Sequence, residues 1–429
     1  MLNSARHRYL PILGPVISRW TALLLAAVVV AACTPASTPP GALILGLMLP
    51  LTGPAASLAQ EELNGIQIAV DQVNRSGGVA GRQIKLLTRN VNSREATTGA
   101  VDQLKRDGAA MVMGTYDSSL SIPAAHAASG AGLVYWETGA VADQLTGEAL
   151  PNVFRVGPSG SNLGNGSAVF AAEQLAPRLG QAPSGLRISV VEVDDPYGHS
   201  VASAALGKAH QLGFTVAGPV TYVAWHPDWD KVFGFVSASR PDIVILASHV
   251  PDGIEFRKQM LARGVKVKAL IGSTMAECGP DFGRALGADA IGIFASDRPT
   301  SGFNPGALGG SALTAYDSLV AAYRQRFHRD PGEEAVSGFS SAWALTRYTL
   351  PGARTLDTAG ISAAAMAQDM PAGSLPNGSG LKFATGSTNL GQNLRSSSVI
   401  WQWQGVRKSV TVWPALFATG QIEMVPLPR

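Results

Sequence analysis

Two hydrophobic periods alternate along most of this chain. Residues 43–49 (LILGLML) form an unbroken apolar run of strand length, the mark of a β-strand covered on both faces. Behind it Leu63, Ile66, Val70 and Val73 recur at spacings of three, four and three. That is a helix with one buried face, and Gly77 and Gly78 end it. The alternation continues with a strand over 83–91, a helix from about 96 to 106, a strand over 109–114, a helix near 123–129 and a strand over 132–137. A second series opens with RISVVEV at 187–193. It runs through helices near 200–212, 230–239 and 253–263, with strands near 215–223, 242–248 and 268–273. Strand–helix–strand repetition with short loops predicts parallel sheets covered by helices on both faces. Two series predict two doubly wound α/β lobes. Residues 306–367 read as mostly helical and 398–414 as a hairpin.

The first 40 residues follow neither period. Arg6, His7, Arg8 and Arg19 carry positive charge with no acid among them, and TALLLAAVVVAA follows at 21–32. A basic segment, a short apolar core and small residues are the pattern of a secretory signal peptide, expected here over 1–32. As a membrane span the apolar core is too short, since a helix needs roughly 20 apolar residues. The Pro-broken stretch behind it makes 33–41 a flexible tether. The sequence VAAC at 30–33 resembles the lipobox of bacterial lipoproteins, which implies acylation of Cys33 and a lipid anchor on a membrane surface. The alternative is an ordinary cleaved signal followed by an incidental cysteine.

Composition narrows the class. A chain of 429 residues, 46% hydrophobic and 15% charged, is too apolar for disorder and long enough for two or three domains. With only 2 cysteines it is no disulfide scaffold. If Cys33 is lipidated, Cys278 has no partner and reads as a small buried hydrophobe. The formal charge of +3 is owed to Arg6, Arg8 and Arg19; without them 30 basic residues face 30 acidic ones. Nothing in that balance attracts nucleic acid.

The stretch LPLTGPAASLAQEELNGIQIAVDQVNRSGGVAGRQIKLL at 49–87 closely resembles the opening of the leucine/isoleucine/valine-type solute-binding proteins of ABC importers. The resemblance continues through GTYDSSLSIPAA (114–125), YWETGAVADQLT (135–146), DDPYGHS (194–200) and NLGQNLRSSSVIWQWQ (389–404), so it spans nearly the whole mature chain. It implies a type I periplasmic-binding-protein fold: two doubly wound parallel-sheet lobes joined by three crossover strands, with the ligand held between them. The crossings are expected near 153–158, 294–299 and 381–383. One lobe would comprise 42–157 and 298–380, the other 158–297 and 381–429. It also implies an exported monomer that hands a small molecule to an ABC permease with its ATPase subunits.

Ligands of open parallel sheets bind beyond the carboxyl ends of the strands. That places the loop 115–121, with Tyr116, Ser118 and Ser119, at the site, where hydroxyls and backbone N–H groups suit a carboxylate or amide oxygen. The alternative for the two serines is helix capping. Thr138, Gly139, Ala140 and Val141 follow the next strand, and Leu58 would add apolar surface. On the second lobe the resemblance implies that Tyr197 closes over the ligand and that His249 and Thr274 end the next two strands. Here the chain departs from its family. Branched-chain binders place a carboxylate near Thr274 and a hydroxyl near Val141 for the ligand ammonium, and a buried ammonium without a partner is costly. The departures favour a neutral or anionic solute such as an amide, urea derivative or carboxylate over an amino acid, unless Glu277 substitutes.

Two other function classes have weaker support. GHSVA at 198–202 partly matches the G-x-S-x-G nucleophile elbow, but it lacks the last glycine, and Asp194, Asp195, Pro196 and Tyr197 separate the strand from the motif. No metal, ATP or dinucleotide motif is present, so no cofactor is expected, and His126, His199, His210, His226 and His328 are scattered. Trp225, Trp229, Trp401 and Trp403 read as core or hairpin packing. A sensory module of the same fold is the remaining alternative.

Overall fold

The computed structural model describes residues 41–427 apart from 275, 300 and 301. The expected signal peptide, Cys33 and most of the tether lie outside the described residues. Two sheets organise the rest. The first is built from β1 (Leu43–Leu49), β2 (Ile84–Asn90), β3 (Met111–Gly114), β4 (Val134–Glu137) and β5 (Val153–Arg155), all parallel, in the order β2-β1-β3-β4-β5. The second contains β6 (Arg187–Val193), β7 (Thr215–Tyr222), β8 (Ile243–Ala247), β9 (Ala269–Ser273) and β10 (Phe294–Asp297), also parallel, in the order β10-β9-β8-β6-β7. Read from its far edge, this is the winding of the first sheet repeated. An antiparallel hairpin of β11 (Val399–Gly405) and β12 (Lys408–Trp413) extends it beside β10.

The chain is α/β with two lobes, as the alternating periods predict. Continuous apolar runs become strands buried on both faces: every residue of β3, β4, β8 and β9 is buried. Helices cover them. In the first lobe α1 (Ala56–Arg75), α2 (Arg94–Arg106) and α3 (Ser118–Gly130) come from the strand–helix series. The second lobe takes α4 (Gly160–Phe170), α5 (Pro196–Gln211), α6 (Trp229–Ser239) and α7 (Val250–Ala262). Later in the chain α8 (Gly310–Phe327) and α9 (Glu333–Trp343) return to the first lobe and pack on α1.

Two close helix crossings depend on glycine. A Cβ on Gly65 of α1 would sit 2.0 Å from the Ala335 carbonyl of α9, and one on Gly164 of α4 would sit 2.2 Å from the Val201 carbonyl of α5.

The structure corrects several expected boundaries. α3 begins at Ser118, α5 at Pro196 and α7 at Val250, each several residues earlier than the apolar period suggests. Their first turns are polar or proline-containing, which suits a helix start but carries no hydrophobic period. Helix α4 has no predicted counterpart, because GSNLGNGSAVF reads as loop by composition. Val153–Arg155 and Phe294–Asp297 are strands within the sheets, and the chain passes between lobes just beyond them. There Asn393 Nδ2 donates to the carbonyls of Val156 and Gly380, and Arg155 Nε donates to Gln392 Oε1 at 2.6 Å.

Candidate functional site

In both sheets the strand order reverses beside the first strand of the series, between β1 and β3 and between β6 and β8. Loops diverge at such switch points and leave a crevice at the carboxyl ends of the strands. The two crevices face one another. The first lobe contributes Tyr116, Asp117 and Ser118 after β3, and Gly139 and Val141 after β4. Opposite them stand Asp195 and Tyr197 after β6, His249 after β8 and Thr274 after β9, with Arg298 beside the passage between lobes. About 310 Å³ of atom-free space lies among them, counting what opens to solvent.

Two backbone outliers shape its walls. Tyr116 has φ of 85° and Thr274 φ of 50°, a left-handed region that side-chain-bearing residues seldom occupy and that clusters at ligand sites. The Tyr116 hydroxyl donates to Glu334 Oε1 at 3.3 Å. Ser118 Oγ accepts from the Ala142 N–H at 3.1 Å, which fastens the loop after β4, and keeps its own proton to donate. Helix α3 is capped by Asp117, whose side chain accepts from Ser119 N–H, and not by either serine.

On the opposite wall Asp195 caps α5 through the Gly198 N–H and meets His249 Nε2 at 2.6 Å. Burial pushes the His249 imidazole down, but the hydrogen bond and charge of Asp195, with Asp117 and Asp252, outweigh it and raise its pKa. Burial also raises the pKa of Asp117, which the charge of His249 across the cleft lowers and that of Asp195 raises. Tyr197 holds its ring 5.7 Å from His249, and its hydroxyl bonds to the Ser273 carbonyl and the Ser248 N–H.

Beneath the first wall lies a buried charge cluster. Arg298 Nη1 donates to the Gly139 carbonyl at 2.8 Å, and its Nε lies 2.5 Å from Glu333 Oε1 and 3.4 Å from Asp297 Oδ1. Glu137 accepts from the N–H groups of Thr138, Gly139 and Ala140, and so sets the shape of the loop that lines the cleft. Burial drives Glu62 up to about 8, with the Thr138 hydroxyl opposing and the charge of Glu137 adding to it.

The cleft thus brings together Tyr116, Ser118, Gly139, Val141, Tyr197, His249 and Thr274. Ser119 stands further out, at the mouth. Leu58 is core, while Thr138 and Ala140 are buried behind the lining. Three lining residues lie outside the sequence-derived set: Asp117, Asp195 and Arg298. The first two bring carboxylates to the cleft, one from each lobe, though neither stands at the Thr274 position where the family's acid is expected. Glu277 does not supply it; its carboxyl lies under Gly272 and Gly253, where burial raises it to about 8 and Ser248 Oγ donates to it. Trp225 is corrected too, being 48% exposed at the mouth and not core packing.

Chemically, this arrangement binds. Hydroxyls, carboxylates and an imidazole converge on one small volume from two bodies. Ser200 Oγ donates to the Pro196 carbonyl and accepts from Asp143 N–H, so its bonding serves the helix and the contact between lobes. Among the described residues no group of three or more His, Cys, Asp or Glu side chains is arranged to hold a metal ion. Nor is any described helix long and apolar enough to cross a membrane. Cys278 is free and buried.

The comparisons with known proteins agree with this geometry. A family model described as "Periplasmic binding protein" matches residues 43–392. The Leu/Ile/Val-binding protein homolog 8 of Brucella abortus is 30% identical over 372 residues, covering 86% of this chain and 90% of the relative. Among solved structures, the leucine-binding protein LivK of Thermotoga maritima shares the fold with a TM-score of 0.72 at 16% identity, over 86% of this chain and 98% of that one. A fatty acid ABC transporter substrate-binding protein of Thermomonospora curvata superposes with a TM-score of 0.70 at 18% identity, over 90% and 95%. With two switch-point crevices closing on one volume and a family match over most of its length, the chain belongs to the periplasmic binding protein family and is a solute-binding protein.

Proposed function

We propose that this protein captures a small polar solute between its lobes outside the cytoplasm and delivers it to an ABC permease with ATPase subunits. The observation that carries this reading is the narrow cleft lined from both lobes at the carboxyl ends of both sheets. A solute bridging Ser118 and Asp117 on one side and Asp195, Tyr197 and His249 on the other makes all its bonds only in the closed form. It therefore shifts the population toward closure, and the closed form is what the permease recognises. Export follows from the family, and acylation of Cys33 would tether the protein at a membrane surface. The Brucella relative is named for leucine, isoleucine and valine, while proteins of the same fold are named for leucine and for fatty acid. Amino acids return to the candidate solutes here because Asp117 and Asp195 supply the acids that an ammonium requires.

A thermal-shift screen of amino acids, amides, ureas and carboxylates on the purified mature chain tests the reading. A genuine ligand at 100 times its Kd adds about 2.7 kcal/mol of stability. Absence of any shift across all four classes, with a cooperative unfolding transition in each well, would sink it. Cys33→Ser tests the anchor: wild type should fractionate with membranes and the variant should not.

A further inference from the structure

The inner cleft opens into a second recess that shares Asp117, Asp195 and His249 with it. This mouth is larger and differently made. Its atom-free space is about 1180 Å³, counting what opens to solvent. Leu120 and Pro54 of the first lobe face Trp225, Val250 and Pro251 of the second across it. Apolar surface from both lobes therefore flanks the outer recess, beside the polar Thr52, Asn92 and Ser119. Trp225 marks the boundary. It is 48% exposed, its backbone sits at φ of 67°, and its ring stacks on His249 at 5.9 Å with an interplanar angle of 12°. An exposed tryptophan held in that backbone region, flat against a residue of the inner cleft, is a platform for another planar group.

We propose that the mouth is the second half of the ligand site, and that the solute is an aromatic amine or aromatic amino acid. The proposal rests on the solute-binding reading above and names its ligand class. The head fits the inner cleft because of its charge balance. Two carboxylates, Asp117 and Asp195, face the one His249 imidazole, and Arg298 is already paired with Glu333 and Asp297. That excess of negative charge takes an ammonium. The inner cleft continues outward into the mouth through the residues the two share, so the aryl tail runs outward and packs between Trp225 and Leu120.

Calorimetry with phenylalanine, 2-phenylethylamine, phenylacetate, alanine and leucine on wild type, Trp225→Ala and Trp225→Phe decides this. Phenylalanine or 2-phenylethylamine should bind wild type at least tenfold tighter than alanine or leucine. Trp225→Ala should weaken phenylalanine and 2-phenylethylamine at least tenfold more than it weakens alanine, and Trp225→Phe should restore the preference. Equal loss for all ligands in Trp225→Ala, or no aryl preference in wild type, overturns the mouth subsite but leaves solute binding standing. Tighter binding of phenylacetate than of the amines overturns the ammonium head. If none of the five binds while another solute in the wider screen does, the ligand class is wrong; if nothing binds at all, the solute-binding reading falls with it.

Discussion

Arg298 is a buried cation set among the buried acids Asp297, Glu333 and Glu334. Its guanidinium compensates their charge and holds the Gly139 carbonyl at the cleft wall. Arg298→Leu should therefore cost about 3–5 kcal/mol in urea unfolding, the usual penalty for stranding buried partners, and a loss under 1 kcal/mol would contradict this role. Ser118→Ala leaves the Ala142 N–H without its acceptor, so it should cost about 1–3 kcal/mol of stability besides weakening any ligand. The acids also predict a pH response. Glu62 and Glu277 titrate near 8 in the folded chain against 4.5 as ordinary glutamates. Between these values the folded state holds protons that the unfolded chain has released, so stability falls as pH rises through that window. Glu62→Gln should remove part of that fall, on the order of 1 kcal/mol per pH unit. Denaturant midpoints at several pH values measure it, and parallel curves for wild type and variant would refute it. Little of this is legible in sequence. Nothing in the pattern separates Asp117 or Asp195 from any other helix-capping aspartate, because the cap is local while the facing lobe is remote in the chain.

At the level of elements the sequence is more informative. Strands β1 and β8 are continuous apolar runs because both faces are covered, and that makes them readable. Helix α4 is not, since it packs through Gly160 and Gly164 and its glycines imitate a loop. The close crossings this allows are testable. Gly65→Ala and Gly164→Ala each place a methyl within about 2 Å of a backbone carbonyl. Each should destabilise by about 1–3 kcal/mol, the ordinary cost of overpacking, and a thermal melt in which either variant is as stable as wild type would show that the helices can slide apart freely.

The whole molecule turns on a few strands. Asn393 joins the passage at Val156 to the passage at Gly380, and Gln392 bonds both Arg155 and the Gly157 carbonyl. Asn393→Ala leaves two buried carbonyls short of a donor and should cost about 2 kcal/mol. In small-angle scattering without ligand it should also broaden the distribution of lobe separations. An unchanged distribution would place the hinge elsewhere. The two-lobe plan itself was legible from the doubled strand–helix series, whereas the facing of the crevices depends on these passages, which local patterns do not encode.

The crossing of α1 with α9 has a consequence for how the chain is made. Gly65 meets Ala335, about 270 residues downstream, so the first lobe lacks its covering helix until most of the polypeptide exists. At 5–20 residues per second, the general pace of synthesis, that wait is roughly 10–50 s. For all that time the apolar flank of α1 has no native cover, and the first lobe cannot complete its native packing. A translocation channel that accepts only unfolded substrate has that interval in which to engage it.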